Sequence, residues 1–262
     1  MSGSLQQFYD AHKTDVPHVD ARLSLVAKLV GQVGAGSALD VACGRGTLLR
    51  TLQTRYPQLA LTGADISQDS VEATRRFGLR AEVANVEKAL PFADESFDCV
   101  VFGEVIEHLV DPDAALQNIS RVLKAGGHLI LTTPNLASWF NRAFLLFGIQ
   151  PIFTETSVHV NLGRIVPALG QWKPTQGHLK VFTKGALLQM LEANGFRVER
   201  LLGAPYPQPS PAALFDRLMS RFPSLASNFV VCARNDRTLA TNYPRLPGWL
   251  DELGASQQDP MA

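Results

Sequence analysis

Two groups of residues have the types and spacing to do chemistry. The first is the run Asp40-Val41-Ala42-Cys43-Gly44-Arg45-Gly46, whose small residues at alternate positions let the backbone pass close to a ligand. Asp65, closing the next apolar stretch, adds a carboxylate able to hold both hydroxyls of a ribose. Glycine-rich strand-to-helix turns serve many nucleotides, so a nicotinamide dinucleotide satisfies this pattern as well as any other adenosine-bearing cofactor. The second group is Glu104, Glu107 and His108 in the run Glu-Val-Ile-Glu-His, with His178 far downstream in Gly-His-Leu-Lys. A single turn after a strand would bring Glu104, Glu107 and His108 close together. His108 oriented by Glu107 could then act as a general base; a pair with a purely structural role fits the same spacing.

These residues need elements that deliver them to one edge. Leu23, Val26, Ala27, Val30 and Val33 recur at helical spacing, so Val19 to Val33 reads as an amphipathic helix. The run Ala38 to Gly46 is a short apolar strand opening into glycines, followed by a helix that stops near Pro57. A second strand ends at Asp65, a helix covers about Gln68 to Phe77, and a third strand lies around Leu79 to Val83. Phe97 to Gly103 is a buried strand, Ala114 to Leu123 a helix, and Ala125-Gly126-Gly127 its left-handed stop. His128 to Asn135 is the next strand, and the alternation predicts βαβ units and a parallel sheet.

Past Asn135 the rhythm changes. Trp139 to Gln176 is aromatic and punctuated by Gly and Pro, and reads as an inserted lid or substrate-shaping element. A helix ending at Gly195, a strand from Arg197 and a last strand from Asn228 to Arg234 complete one domain over 1–234, with a polar tail over 235–262.

The 262 residues suffice for one large α/β domain. Lys+Arg and Asp+Glu are both 24, which gives no global pull toward nucleic acid or an anionic membrane. The 3 cysteines form no CxxC pair, and Cys99 and Cys232 sit in apolar runs as core residues do. Trp139 to Phe153 is too short and too interrupted to span a bilayer, and the first residues lack the apolar core of a signal peptide. The expectation is a cytoplasmic protein with a small-molecule partner and no membrane span.

The runs Leu39 to Gly46, Gly63 to Ser67, Asn85 to Pro112 and Val122 to Asn135 resemble the class I SAM-dependent methyltransferases, closely over 38–135 and more loosely to Arg234. The resemblance implies a Rossmann-like, doubly wound, seven-stranded, mostly parallel sheet with its last strand antiparallel, and S-adenosyl-L-methionine (SAM) as cofactor. Carried over residue by residue, it places Asp40 near the amino end of the methionyl moiety. Ala42, Gly44 and Gly46 line its channel and Asp65 grips the ribose. Ile66 packs on the adenine face, Asn85 and Val86 meet its edge, and Gly103 and Glu104 floor the pocket. Ala42 stands where glycine is commoner and Asn85 where aspartate is, though an amide oxygen can still accept a hydrogen bond.

The acidic-histidine run resembles ubiquinone-pathway O-methyltransferases and small-RNA 2′-O-methyltransferases. That likeness implies a divalent metal on Glu104, Glu107, His108 and His178, which would lower the pKa of a bound substrate hydroxyl. The acceptor pocket is expected from Tyr9 and His12 in a capping segment and from Trp139, Phe140 and His159 in the lid. Methyl transfer to a hydroxyl, less often an amine or carboxylate, of a small organic molecule with apolar surface is the resulting reading. Three others stay open: use of SAM itself as substrate with methylthioadenosine release, a non-catalytic SAM-binding subunit, and a metal-dependent RNA 2′-O-methyltransferase.

Overall fold

A computed structural model describes residues 21–165, 170–206 and 212–239. Helix α1 (Ala21–Gln32) leads into β1 (Ser37–Val41), α2 (Thr47–Arg55), β2 (Ala60–Asp65), α3 (Gln68–Arg75) and β3 (Arg80–Val83). Strand β4 (Phe97–Gly103) is followed by a single 3-10 turn at Ile106–His108, then α4 (Pro112–Val122) and β5 (Leu123–Pro134). After α5 (Trp139–Leu146) come a long irregular stretch, α6 (Lys184–Ala193), β6 (Phe196–Ala204), α7 (Ala213–Met219) and β7 (Asn228–Asn235).

The seven strands make one sheet in the order β3-β2-β1-β4-β5-β7-β6. The first five run parallel, and β7 pairs antiparallel with both β5 and β6. Strand order reverses at β1 and β4, which opens a crevice at their carboxyl ends, where α/β sheets bind ligands.

The apolar runs are continuous because both faces of the sheet are covered. In β4, Cys99 and Val101 join the layer formed with Val26, Leu29 and Val30 of α1 and Leu52 of α2. Val100 and Phe102, one residue out of phase, join the opposite layer with Leu116 and Ile119 of α4 and Leu187 and Leu191 of α6. All 3 cysteines are buried and free, Cys43 as well as the two expected in the core. Among the described residues no helix is long and apolar enough to cross a membrane.

One expectation is corrected. Gly126 does take the left-handed conformation, at φ 74°, but it does not stop a helix. α4 ends at Val122 and the chain is already paired to β4 at Leu123. The next matched pair is Cys99 with His128, so Lys124 to Gly127 bulge out of the ladder, and Gly126 makes that bulge possible. Strand β7 runs one residue past Arg234, to Asn235, and Arg237 donates to the carbonyls of Ser120 and Leu123.

Candidate active site

Sheet register delivers the first group of residues to one edge. Asp40 pairs with Gly63 and Val101, Asp65 with Val83, and Gly103 with Thr132. Beyond β1 the chain reverses over a few residues, with Ala42, Gly44 and Gly46 at φ 60°, 54° and 77°. Glycine adopts this conformation freely; Ala42 does so against its Cβ. At Gly46, the residue that begins α2, an added Cβ would also sit 3.0 Å from Thr74 Oγ1.

Asp65 is held by the backbone it faces: Oδ2 accepts from Gly44 N at 2.8 Å and Oδ1 from Ser67 N at 2.8 Å. Ser67 caps α3, its hydroxyl accepting from Ser70 N, so Asp65 is not the helix cap. Asp40 lies buried behind the loop, and burial, helped by the nearby Asp65 charge, pushes its carboxyl up to about 8. Asn85 accepts from Glu87 N at 2.9 Å through its amide oxygen, which keeps a second lone pair. Asn118 Nδ2 and Glu87 Oε1 tie this turn to α4, through Val86 O at 2.8 Å and Asp111 N at 2.7 Å.

These residues line a cavity of about 590 Å³. Its floor is Val41, Ala42, Gly44, Asp65 and Ile66, one wall is Asn85 and Val86, and the other is Gly103 and Glu104. Pro174, Thr175 and Gln176 roof it, and Glu107, His108 and His178 form its far corner. Asp40 and Gly46 do not line it.

In that corner the 3-10 turn places Glu107 and His108 as the spacing implied, with Glu107 Oε1 3.9 Å from His108 Nε2. His108 Nδ1 lies 3.1 Å from Gly177 O and His178 Nδ1 3.0 Å from Phe153 O. A carbonyl can only accept, so in each neutral ring Nδ1 carries the proton and Nε2 the lone pair. Burial holds both imidazoles below the usual histidine range, and the two rings lie 4.9 Å apart. Glu107 is fully buried, accepts from Thr133 Oγ1 at 2.9 Å through Oε2, and is pushed well above the carboxylate range by burial and by Glu104. Glu107 Oε1 has no hydrogen-bond partner among the described residues. Glu104, at φ 56°, turns aside to pair with Arg22 of α1, and its own Oε1 has no hydrogen-bond partner among the described residues. Of the four residues expected as metal ligands, Glu107, His108 and His178 present donor atoms within 4.8 Å of one another; Glu104 is outside that group.

The roof has no strand or helix of its own. Glu155 accepts from three successive amides, Gln176 N at 2.5 Å, Gly177 N at 2.7 Å and His178 N at 3.0 Å. Arg164 is buried and bonds the carbonyls of Ile152 and Thr154, holding the segment that carries Glu155. The expected lid residues Trp139, Phe140 and His159 do not line this cavity. Trp139 donates to Asp216 Oδ1 at 2.8 Å, Phe140 packs among Phe144, Phe153 and Tyr206, and His159 is exposed. Tyr9 and His12 lie outside the described residues. Sequence reasoning missed Arg22, Glu155 and Thr133. Arg22 sits beside the first apolar position of a recognised amphipathic helix, a place where an arginine ordinarily faces solvent, and Glu155 lies in an unpatterned loop.

Residues 39–131 match a family model described as a methyltransferase domain. Ubiquinone/menaquinone biosynthesis C-methyltransferase UbiE of Desulfotalea psychrophila is 36% identical over 137 residues, 49% of this chain and 55% of the relative. Ubiquinone biosynthesis O-methyltransferase of Alkalilimnicola ehrlichii is 33% identical over 120 residues, 44% of this chain and 48% of the relative. The chain thus spans about half the length of these curated relatives. A SAM-dependent methyltransferase structure from Mesorhizobium loti shares the fold, with a TM-score of 0.57 at 18% identity, covering 84% of this chain and 100% of that one. Over residues 39–131 the chain thus matches a methyltransferase domain, and its seven-stranded sheet, with the glycine-rich crevice at the switch point, has the Rossmann-like fold of the Mesorhizobium loti structure.

Proposed function

We propose that this protein transfers a methyl group from SAM to a hydroxyl of a small organic molecule with apolar surface. One observation carries the reading: the histidine corner opens onto the same cavity as the ribose-type carboxylate Asp65. When bound, SAM supplies a methyl group already activated on a sulfonium. The chain's task is alignment, and well-oriented reactions gain ~7–11 kcal/mol from positioning alone. The residues fit the cofactor: Asp65 is fixed by two backbone N–H groups at the edge of the cavity, and the small-residue loop lets the chain pass close to a ligand there. Arg22 and the orphaned Glu104 Oε1 face the same space, with charges suited to the carboxylate and ammonium of the methionyl arm. Across the cavity, His108 or His178 takes the acceptor's proton at Nε2, the ring fixed by its Nδ1–H bond to a carbonyl. A hydroxyl acceptor accounts for a neutral base here, since an O–H proton has to leave.

A second reading rests on Glu107, His108 and His178. Two imidazole nitrogens and a buried orphaned carboxylate oxygen are a donor set that suits a divalent ion. Bound there, the ion would supply Lewis acidity to the acceptor hydroxyl. Loss of turnover with EDTA and rescue by a divalent ion would favour this reading; indifference to chelator would remove it.

The test is to incubate the purified protein with SAM alone, then with phenol and carboxylate acceptors, and follow all SAM-derived products by mass spectrometry. S-adenosylhomocysteine formed only with a phenolic acceptor supports the proposal. Methylthioadenosine formed without any acceptor overturns it, because SAM would then be the substrate.

A further inference from the structure

The roof carries an indole where a turn ordinarily takes glycine. Between Val158 and Gln176 the chain doubles back on itself: Val160 bridges Pro174, Asn161 N donates to Lys173 O at 2.8 Å, and Thr175 N donates to His159 O at 3.4 Å. The returning arm leaves a turn closed by Lys173 N on Gly170 O at 3.0 Å, and the third residue of that turn, Trp172, has φ 65°. A left-handed third position favours glycine, because a side chain there crowds its own backbone. Trp172 N also donates to Asn161 O at 2.9 Å, so Trp172 and Lys173 together face Asn161 and the arm bulges. The indole is left 68% exposed. A large side chain held in a costly backbone conformation, with little burial gained, points to a use outside the fold.

That indole stands at the mouth of the chamber. Burial alternates along the arm, as it does in extended chain. Thr175 points inward at 3% exposure, while Pro174 and Gln176 are exposed at the rim, where they line the cavity. Trp172 lies two residues before Pro174, about 7 Å along the arm. With SAM on the floor and a reacting hydroxyl at His108 and His178, whatever else an acceptor carries leaves past Pro174 and meets Trp172 next. The exposed side chains on either side are Lys173 and Gln176, and no acid occurs from Gly170 to Lys180. An apolar plate flanked by hydrogen-bonding groups suits a ring that is apolar on its face and hydroxylated at its edge.

We propose that the acceptor is a glycoside whose sugar ring stacks on Trp172 while its reacting hydroxyl lies at the histidine corner. The C–H face of the sugar covers the indole, and its hydroxyls meet the Gln176 amide and the Lys173 ammonium. A second aromatic ring suits the site less well, since it would use the plate and leave both polar groups to water. The hydroxyl end rests on the methyl-transfer reading above; the sugar end stands on Trp172. Being remote from the reacting atoms, Trp172 contributes equally to ground state and transition state, so it sets acceptor affinity and not the transfer step.

The test measures binding to the full chain with S-adenosylhomocysteine in place of SAM, so it needs no turnover. Hydroquinone is compared by calorimetry with its β-glucoside, β-galactoside and α-mannoside. At least one glycoside should bind about tenfold more tightly than hydroquinone, the order of effect of one ring packed on an indole, and should quench tryptophan emission. Trp172→Gly should abolish both the preference and the quenching, with the affinities for hydroquinone and S-adenosylhomocysteine unchanged. It should melt no lower than the parent, because glycine accepts the left-handed turn, so the loss cannot come from misfolding. Glycosides that bind no more tightly than hydroquinone, or a preference that survives in Trp172→Gly, overturn the proposal. So does a phenoxyphenol that binds as tightly as the best glycoside, which would assign the indole to a second aromatic ring. A glycoside preference without methyl transfer from SAM to any of these phenols would keep the sugar subsite and overturn only the reading of the reaction.

Discussion

The floor and the roof of the cavity are held by different kinds of bond. Val41, Asp65 and Gly103 end three hydrogen-bonded strands, so their positions follow from sheet register and would shift only with the core beneath them. Pro174 to His178 belong to no strand or helix. They are held by the Glu155 carboxylate, whose own segment is held by Arg164, by the isolated bridge between Val160 and Pro174, and by bonds of Thr175 Oγ1 to Val158 O and of Asn161 Nδ2 to Pro174 O. The floor resists change because many apolar residues would have to move together. The roof can be rebuilt by changing a few polar residues. Such a division lets one cofactor site serve many acceptors.

The sharpest way to break this division is at the corner where the two halves meet. His108→Gln should lower kcat by roughly 10²–10⁴-fold, the usual contribution of a general base, while SAM affinity stays within about twofold. An effect on SAM affinity alone would put His108 on the cofactor side. Next in size, Asp65→Ala should weaken SAM binding by ~1.5–3 kcal/mol, the value of lost charge-assisted hydrogen bonds, measured by calorimetry. Unchanged affinity would end the ribose assignment. Glu155→Gln tests the roof. It removes the charge from three bonds to the backbone and should raise the acceptor's KM by about 3–10-fold with SAM affinity unchanged.

Asp40 probes the floor by pH. Its carboxyl, ordinarily near 3.8, titrates near 8 in the folded protein, so the folded state keeps a proton that the unfolded chain releases. The associated stability is fully present below 3.8, is lost progressively as pH rises from there to about 8, and stays lost above it. Asp40→Asn should therefore show a smaller decline in melting temperature between pH 5 and 8 and melt above the parent at pH 8.5 to 9, as thermal scans at several pH values would show. The smallest effect expected is at Ala42→Gly. Relief of the left-handed conformation, ~1–2 kcal/mol, is partly offset by the added freedom of glycine in the unfolded chain, ~0.5–1 kcal/mol. A rise of about 2 °C in melting temperature is the result expected for a domain of this size.

The same division governs what could be read from the sequence. Strands β1, β2 and β4 and the helices after them announce themselves by apolar runs ended by glycine or capped by Ser67 and Asp111, because local patterning and global burial agree there. Of the residues expected to hold the cofactor, Ala42, Gly44, Asp65, Ile66, Asn85, Val86, Gly103 and Glu104 line the cavity, whereas Asp40 and Gly46 do not. Lid residues chosen for their aromatic character do not, since Phe140 and Phe153 pack with one another rather than toward the opening. What does roof the cavity is Pro174-Thr175-Gln176, side chains with no chemical signature, placed by long-range bonds that leave no period in the sequence. Gly126 shows the opposite error: its conformation was legible, but whether it ends a helix or makes a bulge depends on the neighbouring strand.

The peptide that roofs the cavity is also bonded to the turn that carries His108. Leu179 N and Lys180 N both donate to Glu107 O, at 2.7 and 2.9 Å, while Gly177 O holds His108 Nδ1. Two adjacent stretches of one peptide are thus stitched to one 3-10 turn, and lifting Gly177 would break the bond that orients the His108 ring. On the proposed reading, in which His108 takes the acceptor's proton, covering the chamber and arming the base would be a single event.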